Sequence, residues 1–285
     1  MEFHSILTGY FKLDGGAMFG VVPKSLWQTV NPPDAQNLCT WAMRSLLVVN
    51  GDHVLLIDTG IGDKQDARFF GHYHLHGDTS LDSELARLGL TRADVTDVLL
   101  THLHFDHVGG AVMRRPDGML VPSFPRARFH SCARHWEWAT QPNAREKASF
   151  LTENIQPLAE SGQLHFIPRD GRWTREALGD RFPGLDIFFA DGHTESQMIV
   201  TLPHPTGRRL AFMADLLPSA GHVPAAWVMG YDTRPLLTLE DKALLLGQAA
   251  DENWLLFLEH DPVNTLCTVQ HTEKGIRLHE TFHQL

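Results

Sequence analysis

The chain has 285 residues, 43% of them hydrophobic and 20% charged, an ordinary globular composition that excludes a disordered, collagen-like or coiled-coil chain. With 24 Lys and Arg against 34 Asp and Glu, its net charge of −10 argues against a nucleic-acid partner. No stretch approaches the roughly 20 apolar residues of a membrane span, so no membrane partner is expected.

Taken in order, apolar runs alternate with helical stretches from end to end, the pattern of an α/β protein. Residues 1–20 show no apolar stretch of the signal-peptide kind, and an extended N-terminal arm through Pro32-Pro33 offers a contact for a homodimer. Asn50-Gly51 between the runs Ser45–Val49 and His53–Ile57 predicts a hairpin, because both residues tolerate positive φ. Phe69–Thr79 reads as a long loop. Ser80–Leu88 places Leu81, Leu85 and Leu88 on one helical face and stops at Gly89. Val98–Thr101 is a short buried strand, followed by a second long loop, Arg114–Arg126. Arg145–Ala159 is expected to be helical, with Pro157 disturbing its last turn. Ile187–Ala190, Met198–Leu202 and Arg209–Met213 read as strands, Leu239–Ala250 as a helix and Trp254–Leu258 as a buried strand. There is no repeat or Pro/Ser-rich linker, so a single domain over 1–285 is expected, with two similar halves at roughly 1–165 and 166–285. Cys39, Cys132 and Cys267 are far apart and odd in number, which points to a reduced, cytoplasmic compartment rather than a disulfide framework.

Histidine is the outlier, with 18 copies. The segment Thr101-His102-Leu103-His104-Phe105-Asp106-His107-Val108-Gly109-Gly110 has the core H-x-H-x-D-H, which chance delivers in roughly 0.5% of chains of this composition. It directly follows a strand, so four polar side chains crowd one strand exit. Imidazoles and a carboxylate at that density repel or desolvate one another unless a cation sits among them. Three more strands end the same way: Ile187–Ala190 at Asp191-Gly192-His193, Arg209–Met213 at Ala214-Asp215, and Trp254–Leu258 at Glu259-His260. Strand ends are where α/β sheets place their sites. Seven ligand-type residues exceed what one tetrahedral ion needs and suit two. Imidazole with carboxylate and no thiolate suits Zn²⁺ first, with Fe, Mn or Co as rivals.

These residues resemble the metallo-β-lactamase superfamily of αββα hydrolases, and most closely its N-acyl homoserine lactonase branch. The likeness runs through Met18–Lys24 with Trp27, Leu56-Ile57-Asp58-Thr59-Gly60, the H-x-H-x-D-H core, Gly192-His193-Thr194, Ala214-Asp215 and Glu259-His260-Asp261. The resemblance implies a four-layer αββα sandwich, two mixed β-sheets flanked by helices. It implies that His102, His104 and His193 hold a first metal, that Asp106, His107 and His260 hold a second, and that Asp215 bridges the two. Two Zn²⁺ sharing a hydroxide would then open a small-molecule ester or lactone, such as an N-acyl homoserine lactone, with aryl esters or phosphotriesters as the alternative. Asp106 and Asp215 would act in catalysis as well as in binding.

The resemblance also assigns supporting roles. Asp58 is expected to orient the metal-site loop through hydrogen bonds, and Glu259 and Asp261 flank a ligand. Met18, Phe19 and Trp27 fall near the substrate mouth, while Phe105 is expected to pack beneath the site. His72, His74 and His76, with Tyr73 among them, read as a solvated flap rather than another metal site. One departure stands out: related lactonases carry a Tyr three residues after the bridging Asp, and this chain has Pro218 there. A donor to the substrate carbonyl must therefore come from elsewhere, with His222 the first candidate and Tyr231 the second.

Overall fold

Strand β1 (Glu2–Asp14) lies antiparallel along the whole of β2 (Leu38–Asn50). The N-terminal segment is thus a sheet strand and not a free arm; its alternation is partly masked by half-buried polar residues. At Asn50-Gly51 the chain turns back into β3 (His53–Ile57), with Gly51 at φ 58°. Period-2 patterning then sorts the side chains. Leu46, Val48, Leu55 and Ile57 face the core between the two sheets, while Leu47, Leu56 and Val54 face outward onto helices.

The computed structural model describes residues 1–285. After β3 come β4 (Asp97–Leu99), a small hairpin of β5 (Val112–Arg114) and β6 (Leu120–Pro122), β7 (Arg128–Cys132) and β8 (Leu164–Ile167). The first sheet runs β1-β2-β3-β4-β7-β8, with parallel pairing from β3 onward. The second half supplies β9 (Trp173–Thr174), β10 (Asp186–Ala190), β11 (Gln197–Pro203), β12 (Arg209–Phe212), β13 (Leu255–Phe257), β14 (Leu266–Thr272) and β15 (Gly275–Phe282). These form a seven-stranded sheet in the order β15-β14-β13-β12-β11-β10-β9, with β12 and β13 parallel. Both sheets are mixed. The helix Leu81–Arg87 and the helix Thr152–Glu160 cover the outer face of the first sheet through Leu81, Leu85, Ile155 and Leu158. The helix Pro235–Asp251 packs Leu245, Leu246 and Ala249 on the second. The result is the four-layer αββα sandwich. No helix is long and apolar enough to cross a membrane.

Local chemistry explains most of the element boundaries. Ser80 and Ser83 form a reciprocal cap at the start of Leu81–Arg87. The expected helix Arg145–Ala159 begins only at Thr152. Its first part is a run of turns capped by Asn143, whose side chain accepts from the backbone N–H groups of Arg145 and Glu146, and the chain becomes extended at Leu151 before the helix begins. The two expected long loops hold structure of their own, a short helix at Ala67–Gly71 and the β5–β6 hairpin.

One buried carboxylate ties the halves together. Asp97, at the start of β4, is fully buried and accepts from Thr96 Oγ1 at 2.8 Å, faces His130 Nε2 at 2.9 Å, and pairs with Arg181 from the second half. Burial would raise its pKa, but the bonds from His130, Arg181 and Thr96 outweigh this and hold the carboxyl below its usual range. Its stabilising contribution is therefore complete above pH about 4 and fades as pH falls through the lowered folded-state value. Asp97→Asn should cost about 3 kcal/mol, the low end for a broken buried pair because Arg181 is partly exposed. Thermal melts from pH 7 to 3 should show the difference from wild type shrinking with acidification.

Candidate metal centre

The strand ends place the ligand-type residues along one edge of the sandwich. β3 leads into Asp58, β4 into His102–His107, β10 into His193, β12 into Asp215 and β13 into His260. Tight backbone makes this possible. A Cβ on Gly109 would lie 2.0 Å from Ile61 O, so only glycine lets the loop after the motif pack there. Asp58 and Ala214 sit at φ 57° and 43°, a left-handed conformation rare for such residues. At Asp58 the strain aims the carboxylate at the Thr101 N–H (2.7 Å), Thr101 Oγ1 (2.6 Å) and His107 Nδ1 (3.0 Å).

Two groups form. His102, His104, His193 and Asp215 make one, Asp106, His107 and His260 the other, all buried. Asp215 lies between them: Oδ2 is 3.1 Å from His193 Nε2, and Oδ1 is 3.1 Å from His260 Nε2 and 3.6 Å from His107 Nε2. His193 Nε2 faces His104 Nδ1 at 3.1 Å, and His260 Nε2 faces His107 Nε2 at 3.3 Å. Pairs of imidazole nitrogens at that range confront lone pair with lone pair unless a proton or a cation lies between. His102 Nε2, fully buried, has no hydrogen-bond partner. The donor set therefore fits metal ions, with borderline nitrogen ligands and hard carboxylates.

The electrostatics agree. Burial opposes charge on His193 and His260, yet Asp215 outweighs it and pulls them up to about 10 and about 8. Burial, with the neighbouring imidazoles of His107, His104 and His193, drives His102 down. Cations must displace the protons held by His193 and His260, so metal affinity weakens as pH falls.

The outward nitrogens are held as firmly as the inward ones. His193 Nδ1 meets Asp232 Oδ1 at 3.0 Å, His104 Nε2 lies 3.4 Å from Glu146 Oε1, and His260 Nδ1 meets Ala42 O at 2.7 Å. His107 Nδ1 has both Asp58 and, at 3.1 Å, Glu259. Asp261 turns away instead, accepting from the N–H groups of Ala220, Val263 and Asn264. His135 works one step further out. Its Nε2 accepts from the Leu103 N–H and its Nδ1 donates to Glu195 O, which clips the motif loop to the loop after His193. Burial pushes His135 down to about 3, so it stays neutral and keeps this tautomer. Asp232, Glu146 and His135 were missed in the sequence because each lies in an unremarkable loop or helix far from the ligands it serves.

A cavity of about 410 Å³ opens onto both groups, lined among others by Met18, Tyr73, Phe105, Arg145, Met229 and Tyr231. Phe105 thus forms wall as well as support, and packs on Tyr73 at 4.7 Å between ring centroids. The flap reaches the mouth through that same Tyr73, while its His76 stacks on Tyr10. Phe19 and Trp27 do not line the cavity.

His222 does not face the substrate. It is 1% exposed, with Nε2 bonded to Met18 O at 2.9 Å, Nδ1 to Ser219 Oγ at 2.8 Å, and its ring stacked on Phe19 at 4.4 Å. With both nitrogens engaged it has no donor to offer; its work is to brace the Met18 loop. The loop carrying it is held by Lys242, whose ammonium donates to the carbonyls of His222, Pro224 and Trp227 at 2.6, 3.0 and 2.9 Å.

Among known proteins, the family model described as the metallo-beta-lactamase superfamily matches residues 44–271. A probable metal-dependent hydrolase from Staphylococcus aureus superposes with a TM-score of 0.86 at 25% identity, over 99% of this chain and 96% of that one. AidC, a dizinc quorum-quenching lactonase in complex with a homoserine product, superposes with a TM-score of 0.76 at 19% identity, over 98% and 94%, a likeness of fold. A probable metallo-hydrolase of Mycobacterium tuberculosis is 32% identical over 114 residues, 37% of this chain and 34% of that protein. The match spans about a third of the length of such curated relatives.

Removing an outer carboxylate should loosen one group and spare the other. Asp232→Ala should weaken metal binding at the His102–His104–His193 group by about 10–100-fold, and Asp58→Ala should do the same at the Asp106–His107–His260 group. Competition against a chromophoric chelator, with two binding steps resolved, measures both.

Proposed function

The chain belongs to the metallo-beta-lactamase superfamily, and from that premise we propose that it is a dinuclear metal-dependent hydrolase, with two Zn²⁺ per chain, that opens a lactone ring such as that of an N-acyl homoserine lactone. The observation that carries this reading is Asp215, whose two carboxylate oxygens are divided between two histidine groups. A single ion would leave one oxygen and one group without purpose. Two cations bound there would supply an activated water and a Lewis acid for the scissile carbonyl.

The chain's own residues divide the remaining work. Asp106 presents its carboxylate on the cavity wall beside His107 and His260, placed to take a proton from the attacking water and return it to the leaving alcohol. Met18, Phe105 and Met229 exclude water around the acyl chain. Tyr231 takes the part that Pro218 leaves open. It lines the same cavity, near enough to Asp106 and Asp215 that their charge adds to burial in pushing its phenol up, so it remains a donor throughout the working range. No Ser or Cys nucleophile is required: Cys39, Cys132 and Cys267 are all buried. A second reading, hydrolysis of aryl esters or phosphotriesters, draws on Pro218 itself, since the lactonase tyrosine is absent.

Three outcomes test this. Purified protein should contain about two metal ions per chain, and Asp215→Ala should lose activity together with at least one ion; a single tightly bound ion in protein never exposed to chelator would overturn the dinuclear reading. Tyr231→Phe should lower kcat/KM on the best lactone by about ten-fold or more without changing metal content. Intact mass spectrometry during turnover should show no acyl adduct, and one on any cysteine or serine would defeat the mechanism.

A further inference from the structure

The cavity in front of the metal centre has one cationic side chain among its lining residues, Arg145. No carboxylate lies within ion-pair distance of it; the guanidinium instead holds Gly230 O through Nη2, with Asp232 O at 3.3 Å. Its Nε and Nη1 donate to nothing in the chain.

The backbone beneath it is braced. Asn143 Oδ1 accepts from the N–H of Arg145 at 2.9 Å and of Glu146 at 3.1 Å. Glu146, 3% exposed, is fixed by Trp138 Nε1 at 2.7 Å and Asn143 Nδ2 at 2.6 Å. Of the carboxylates around the cavity, Glu146 takes these donors on Oε2, Asp215 lies between the histidines, and Asp106 stands beside His107 and His260 rather than beside Arg145. A fork of unspent N–H donors is held at the rim of a cavity whose other walls are Leu13, Met18, Phe105 and Met229.

We propose that Arg145 sets the substrate preference of this centre, by taking an oxygen acceptor, an amide carbonyl or a carboxylate, that the substrate carries beside its apolar chain. The inference rests on the hydrolase reading above and deepens it. Arg145 is exposed at the rim, and a planar oxygen acceptor is what best matches its free guanidinium donors as a substrate displaces the water in front of them. A plain alkyl lactone or ester would offer those donors no partner in place of water.

The test uses matched pairs on the metal-loaded enzyme. N-hexanoyl-homoserine lactone is compared with γ-decalactone, which lacks the amide, and 4-nitrophenyl hemisuccinate with 4-nitrophenyl butyrate, which lacks the carboxylate. Arg145→Ala should raise KM for the acceptor-bearing member relative to its plain partner by about ten-fold or more, with kcat less affected. Arg145→Lys should recover the hemisuccinate better than the amide lactone, because an ammonium keeps the charge and loses the fork. If Arg145 were only a strut to the Gly230 loop, both members of each pair would shift together, and that result overturns the proposal. Should esters be hydrolysed and lactones not, the lactone reading falls while the ester pair still decides Arg145. Should neither be hydrolysed, open-chain N-hexanoyl-homoserine decides it by binding: a rise in Tm for wild type that Arg145→Ala loses supports the assignment, and equal rises refute it.

Discussion

Five imidazoles and two carboxylates are gathered within reach of one another and shut away from water, and the rest of the molecule is arranged around that conflict. Ring nitrogens face one another at 3.1 and 3.3 Å, an approach that only a proton or a cation between them relieves. The chain does not relax this by turning the rings. Four of the five rings are backed by Asp232, Glu146, Asp58 with Glu259, or the Ala42 carbonyl, and His102 Nδ1 lies 3.1 Å from Thr101 Oγ1. The inward nitrogens therefore cannot escape, and local stability is given up for a preorganised charge-binding site. Left-handed backbone at Asp58 and Ala214 belongs to the same arrangement.

That organisation explains what could be read from the sequence. The candidate ligands were legible because metal chemistry needs specific residue types at the ends of strands, and a strand end is a local event. His102, His104, Asp106 and His107 fall in six consecutive positions; His193, Asp215 and His260 each close a recognisable apolar run. The hairpin at Asn50-Gly51 was legible for a similar reason, since positive φ is a property of one or two residues. The outer supports were not. His135 acts on Leu103 and Glu195, 32 and 60 residues away, and no spacing rule links them.

His222 shows the opposite failure. Its position seven residues along from Asp215 suggested a substrate donor, but orientation is decided by tertiary packing. Phe19 takes the ring face and the Met18 carbonyl takes Nε2, both some 200 residues away in sequence. The helix expected from Arg145 is interrupted locally instead: the turns that Asn143 caps end where the backbone becomes extended at Leu151. Apolar periodicity does not report such an interruption, and the residues it misassigned are those that carry Arg145 and Glu146 to the cavity.

The centre also lies on the seam of the sandwich. The first group draws His102 and His104 from one half and His193 and Asp215 from the other. Neither half can assemble it alone, so a bound ion acts as a rivet between them. Binding to the joined state but not to the separated one adds RT ln(1 + [M]/Kd) to cohesion, about 2.7 kcal/mol when free metal is a hundred times Kd. How long the folded chain persists then depends on the surrounding supply of metal. In scarcity the halves would part more often, exposing the apolar surface of Leu46, Val48 and Leu55 to proteases and to other chains, so starvation for metal would deplete the protein itself as well as its activity.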